Sequence, residues 1–217
     1  MQSIHMQTNW AEKNLQTIRT LMERSAVYRR ALAPIMLFAG MLGILAAAIG
    51  LIFHLDSISS FCALWLSTAA VVVVVAFLNT RLQAIRDKEA LWSPPTRRVA
   101  QAALPPLFSG MFFSSAFLFV GIYNLIILVL MWLFFYGCAL HAAGFFMQRS
   151  TKAFGWIFIG MACAAIVILI CLPTSNGATT MEFDRQCPYW LMGFFFGALH
   201  LVYGTYLYLT EKGKNAA

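Results

Sequence analysis

The sequence predicts an all-α integral membrane protein of six transmembrane helices, with both termini cytoplasmic and a tight outer turn between the third and fourth spans. Composition is the first ground: of 217 residues, 61% are hydrophobic and 11% charged, against roughly 25% charged in a soluble domain. Charge placement is the second. The charges fall at residues 12–30, at Asp56, and within 81–98, 149–152, 182–185 and 211–214, and the stretches between hold none. Length is the third: those stretches measure either once or twice the roughly 20 residues that a helix needs to cross a hydrocarbon layer.

Taken in chain order, residues 1–30 form a polar arm. Within it, residues 10–30 read as an amphipathic helix with Leu15, Ile18, Met22 and Val27 on one side. Beside Arg29 and Arg30, such a helix suits the inner surface of the bilayer; docking to a protein partner is the other use. The first span is 31–53, an uncleaved anchor because the arm precedes it. The second is 58–78. Its run Val71–Val75 would suggest a strand in water, but a lone strand in lipid leaves its backbone groups unpaired, so helix wins. Residues 80–92 extend that helix into the cytoplasm until Ser93-Pro94-Pro95 stops it.

Leu104–Met147 would run about 66 Å as one helix, twice the hydrocarbon thickness, so it crosses twice, as 104–121 and 125–147. Gly121-Ile-Tyr-Asn124 supplies turn-forming residues and an interfacial tyrosine, and Pro105-Pro106 opens or kinks the third span. The fifth span is 153–172. A short polar outer loop, 173–187, turns at Asn176-Gly177. The sixth span is 188–209, followed by a cytoplasmic tail, 211–217. The domain between arm and tail is therefore 31–210.

Counting basic residues tests this threading. Six spans put fourteen of the fifteen Lys and Arg residues inside, with Arg185 alone outside; five spans would give eleven and four. The six-span split obeys the positive-inside rule better and places the chain in a cell membrane, of bacterial inner-membrane type. The net charge of +7 is accounted for by topology and by attraction to anionic lipid. No basic module is large enough to fold on nucleic acid, so the partners expected are the lipid bilayer and, through residues 10–30 and 80–98, a cytoplasmic or membrane protein.

Activity is far less legible. No Asp, Glu, Lys or Arg falls within any predicted span, which disfavours proton-coupled pumps and ion exchangers. There is no phosphate-binding loop, no His-Glu-x-x-His and no Gly-x-Ser-x-Gly. An enzyme is not the expectation, and no metal site is predicted.

The intramembrane histidines are the default suspects. His141 lies in span four between Gly137 and Gly144, and His200 in span six between Gly197 and Gly204. The segments around them, Leu130–His141 and Leu191–His200, are weakly alike once gaps are allowed. One use of this pattern is a b-type haem held between two imidazoles, with the glycines bedding the macrocycle. The simpler use is close helix packing at the glycines, with each histidine bonded to a neighbour. Cys171 and Cys187 stand at the two ends of the outer loop, placed either to form a disulfide in an oxidising compartment or to stay reduced. His54 and Asp56 form an interfacial pair after the first span.

Three functional classes follow. The first is a subunit that binds or transports a small apolar or amphiphilic molecule within the bilayer. In span number, length and basic inner face the chain resembles the substrate-binding membrane subunits of vitamin importers, in architecture and without a shared motif. The second is an electron carrier using bis-histidine haem b or a quinone. The third is a structural or regulatory subunit of a membrane complex.

Overall fold

The computed structural model describes residues 32–86, 88, 92, 94–120, 124–171 and 186–215. These residues form six helices: α1 (Leu32–Ile52), α2 (Ile58–Arg86), α3 (Pro94–Val120), α4 (Leu125–Ala143), α5 (Arg149–Cys171) and α6, which starts at Gln186, passes through a π-helical segment Gly193–Ala198 and ends as Leu199–Asn215. Five of them, α1, α2, α4, α5 and α6, are long and apolar enough to cross a membrane. The arm 1–30, residues 121–123 of the expected turn and the loop 173–185 lie outside the described residues, as do residues 87, 89–91 and 93 of the α2–α3 connection.

Local chemistry explains most helix ends. Ser57 caps α2, its hydroxyl accepting from the Ser60 N–H at 3.1 Å. Asn124 caps α4 in the same way, accepting from the Ile127 N–H at 3.1 Å; this is the residue the sequence assigned to the outer turn. Pro94 opens α3 at a first-turn position, where a missing N–H costs nothing. At the end of α2, Lys88 takes a positive φ of 53° and its N–H reaches the Ile85 carbonyl at 3.2 Å.

Several boundaries depart from the sequence expectation. The α2 helix ends at Arg86 rather than running on to residue 92. The third helix begins at Pro94, ten residues before the predicted span, and continues through Pro105 and Pro106. Helix α4 stops at Ala143 instead of 147, because Gly144 ends the ladder and Phe145 and Phe146 donate to carbonyls three residues back. Inside the helices, hydroxyls bond to their own backbone. Thr68 donates to Leu64, Thr80 to Ala76 and Ser114 to Gly110, each at 2.7–2.8 Å, so these hydroxyls on apolar helices are satisfied by their own backbone.

Residue pairings set the helix directions. Along the α1–α6 contact, Gly40 lies against Leu201, Gly43 against the Phe196 carbonyl and Gly50 against the Tyr189 ring. Rising numbers on α1 meet falling numbers on α6, so these two helices are antiparallel. The same holds for α3–α4 (Gly110 on Phe135, Ser114 on Trp132) and for α4–α5 (Tyr136 on Phe158, Gly144 on Lys152). It holds again for α5–α6 (Thr151 on Tyr203, Phe158 on Phe195). By contrast α2 runs parallel to α6, with Phe61 on Tyr189 and Trp65 on Phe196. Thus α1, α3 and α5 run one way and α2, α4 and α6 the other. The first residue of α1 and the last turn of α6 lie at the same end.

Large rings fill the centre. Phe61 and Trp65 of α2, Trp132 and Tyr136 of α4, Phe158 of α5, and Tyr189, Phe195 and Phe196 of α6 touch one another in a continuous aromatic core. The outside is apolar too. On α2 only Phe61 and Trp65 are buried, while Val71, Val73, Val74, Phe77 and Leu78 are exposed. A surface of this kind is what lipid covers.

Candidate functional site between helices four, five and six

Among the described residues His200 is the one buried histidine, 2% exposed, and its place depends on an irregularity in its own helix. Through Gly193–Ala198 the backbone pairs with a spacing of five; the N–H of Leu199 bonds to the Phe194 carbonyl. Returning from that spacing to four skips one carbonyl. Here the Phe195 carbonyl takes a side-chain donor instead: His200 Nδ1 lies 2.9 Å from it. A carbonyl oxygen can only accept, so Nδ1 carries the hydrogen and Nε2 is the acceptor. The hydroxyl of Tyr136, on α4, then donates to Nε2 at 2.8 Å.

Aromatic rings close around this pair. Phe154 and Phe158 of α5 meet the imidazole edge-on at 5.2 and 5.7 Å, and Phe196 stacks on it at 5.7 Å. One turn further along α6, the hydroxyl of Tyr203 contacts Thr151 Oγ1 at 3.0 Å and Ser150 Oγ at 3.2 Å, while its ring stacks on Phe154 at 4.3 Å. Together these groups offer hydroxyls and one imidazole in an apolar enclosure and carry no fixed charge. Chemically that suits holding a weakly polar molecule, or holding three helices in register.

The predicted site residues divide between two interfaces. Gly137 and Gly144 face α5: a Cβ on Gly137 would lie 2.8 Å from Phe158 Cβ, and one on Gly144 would meet Lys152. Gly197 and Gly204 face α1, against Ile44 and Leu37. All four therefore sit at close helix approaches, where an added Cβ would meet atoms of the neighbouring helix. His141 is half-buried and packs its ring against Trp156 and Phe145 at 5.0 and 5.3 Å. Among the described residues no hydrogen bond or ring contact joins it to His200, whose two ring nitrogens are both engaged. Nor is there, among these residues, a group of three or more His, Cys, Asp or Glu arranged to hold a metal ion.

Cys171 is exposed at the end of α5, Cys187 is half-buried in the first turn of α6, and the two are not joined to each other. His54 adopts a positive φ of 47° in the α1–α2 turn. Sequence reasoning passed over Tyr136, Thr151 and Tyr203. The signal for Tyr136 was available: a tyrosine in the middle of an apolar run needs a partner for its hydroxyl.

No family model, curated protein or solved structure matches this chain.

Proposed function

We propose that the chain is a six-span membrane protein of bacterial inner-membrane type, with both termini in the cytoplasm, and that it binds or transports a small apolar or amphiphilic molecule within the bilayer. The antiparallel α1–α6 pairing supports an even number of crossings, because it brings the start of α1 and the end of α6 to one end. That end also carries the basic residues around the α2–α3 and α4–α5 connections, as the positive-inside rule requires of a cytoplasmic face. Helix α3, of 27 residues, is about 40 Å long, a length sufficient for the sixth crossing that this reading requires.

The observation that carries the binding reading is the Tyr136–His200 pair. It is a polar couple, ringed by phenylalanines, at a break in regular helix pairing. π-Helical breaks of this kind are frequent at functional sites, and polar groups inside spans mark ligand paths.

Two experiments test the reading. Cysteine accessibility labelling at the arm and at Lys214 in sealed vesicles is expected to place both on one face; opposite faces would overturn the six-span topology. For function, full-length protein is incubated with a total small-molecule and lipid extract, washed, and analysed by mass spectrometry. Retention of a discrete apolar compound, lost in a folded Tyr136→Phe variant, is the expected result. A wild type that retains nothing beyond bulk lipid refutes it.

A further inference from the structure

The turn joining α4 to α5 gathers groups that the central site does not use. Phe145, in the turn that follows α4, packs its ring edge-on against His141 near the end of that helix at 5.3 Å, and Lys152 and Trp156 are four residues apart on α5 and share a helix face. The two helices press together there: a Cβ on Gly155 would sit 2.6 Å from the His141 backbone nitrogen. That closeness merges the four side chains into one surface. The His141 ring meets Trp156 edge-on at 5.0 Å, and the Lys152 ammonium sits 3.6 Å from the centre of the Phe145 ring. Phe145 and Trp156 are 63% and 59% exposed.

Polar capacity here is unspent. His141 Nδ1 and Gln148 Nε2 are buried with no hydrogen-bond partner. Arg149 and Lys152 add two positive charges, and no acidic residue occurs anywhere between Glu89 and Glu182. Lys152 lies within one turn of the start of α5, and His141 about one turn deeper along α4. One turn is about 5.4 Å, close to the thickness of the headgroup layer on each side of the hydrocarbon core.

We infer that this surface is a binding site for the head group of an anionic phospholipid. The phosphate sits against Lys152 and Arg149, and an acyl chain passes over Phe145 and Trp156. Phosphate chemistry alone would also admit a soluble phosphate ion. The exposed aromatic walls favour the lipid, since a small anion makes no use of them. The inference requires that α4 and α5 lie in a bilayer, but it is independent of what the Tyr136–His200 pair binds.

Native mass spectrometry of the full-length protein, titrated with phosphatidylglycerol or with phosphatidylcholine of the same acyl chains, tests it. Wild type is expected to retain the anionic lipid selectively. Lys152→Gln should weaken that binding by about tenfold, the loss of one charge-assisted hydrogen bond, and Lys152→Arg should restore it. Substituting Arg97 and Arg98 together by glutamine, at the same end but on α3, should change it by less than about twofold. Equal retention of both lipids, or an equal loss in the Arg97/Arg98 variant, overturns the site. Competition by inorganic phosphate alone at matching concentration assigns the pocket to a soluble anion and overturns the lipid. Alkaline carbonate extraction of membranes reports on the membrane reading separately: a chain that washes out fails that reading, whatever the lipid titration gives.

Discussion

The hydroxyl of Tyr136 and the Nε2 of His200 meet at 2.8 Å across 64 residues of sequence, and the other ring nitrogen of the histidine is held by its own helix at 2.9 Å. The imidazole is thereby fixed in one tautomer and one orientation. Tyr136→Phe leaves Nε2 without a donor in a site 2% exposed, which costs about 1–3 kcal/mol. Combining it with His200→Leu should cost less than the sum of the two single changes, because the stranded acceptor is gone. Unfolding titrations of wild type, both single variants and the double variant give that coupling, expected at about 0.5–3 kcal/mol. Strict additivity would mean that the contact contributes nothing to the fold.

Glycines on α5 should behave oppositely according to what they face. Gly155 abuts backbone atoms of α4: an added Cβ would lie 2.6 Å from the His141 nitrogen and 2.8 Å from the Gly137 carbonyl oxygen. Backbone cannot step aside as a side chain can, so Gly155→Ala must spread the α4–α5 hairpin and should cost about 1–3 kcal/mol. Gly160 has nothing within 4 Å, and Gly160→Ala should stabilise by about 0.5–1 kcal/mol through helix propensity. Thermal unfolding in detergent of the two alanine variants checks both signs.

The attachment of α2 rests on two rings. Phe61 is 0% exposed and touches Trp65, Trp132 and Tyr189, so Phe61→Ala should cost about 3–5 kcal/mol. Val73, 66% exposed on the same helix, faces outward, and Val73→Ala should stay within about 0.5 kcal/mol. Comparable losses at both positions would mean that the valine run packs on protein rather than on lipid.

Apolar length made the helices readable, because no other feature of a chain sets so coarse a pattern. Charge windows bound the apolar runs but not the helices themselves: α4 stops early at Gly144, α3 starts ten residues before its expected span, and α6 runs on to Asn215. Pro105 and Pro106 mislead because a prohibition drawn from helices in water is relaxed where neighbours and hydroxyls take up the freed carbonyls. His200 stands out in the sequence as a polar group in an apolar run, but its partners do not: the π segment that supplies the Phe195 carbonyl leaves no composition signal in Gly193–Ala198. The glycines beside the histidines are compatible on paper with haem as well as with helix packing, the simpler of the two. Only the identity of the facing atoms separates the two, and facing atoms are a property of tertiary structure.

The α1–α2 turn carries the last prediction. His54 has a φ of 47°, a left-handed conformation that is strained for a residue with a Cβ. Its role is that of a helix C-cap: the Leu55 N–H returns to the Gly50 carbonyl at 3.2 Å, the long bond of a Schellman motif. The conformation is enforced from α6, because the Tyr189 hydroxyl donates to the Leu55 carbonyl at 2.6 Å and its ring lies against Gly50. His54→Gly removes the strain and should stabilise the protein by about 1 kcal/mol, whereas the β-branched His54→Val should destabilise it by at least as much. Tyr189→Phe should lower stability by about 1 kcal/mol and shrink the glycine effect, since a turn no longer held from α6 can relax away from the left-handed region. If His54→Gly gives the same gain in the Tyr189→Phe background, the strain belongs to the turn alone and α6 does not impose it.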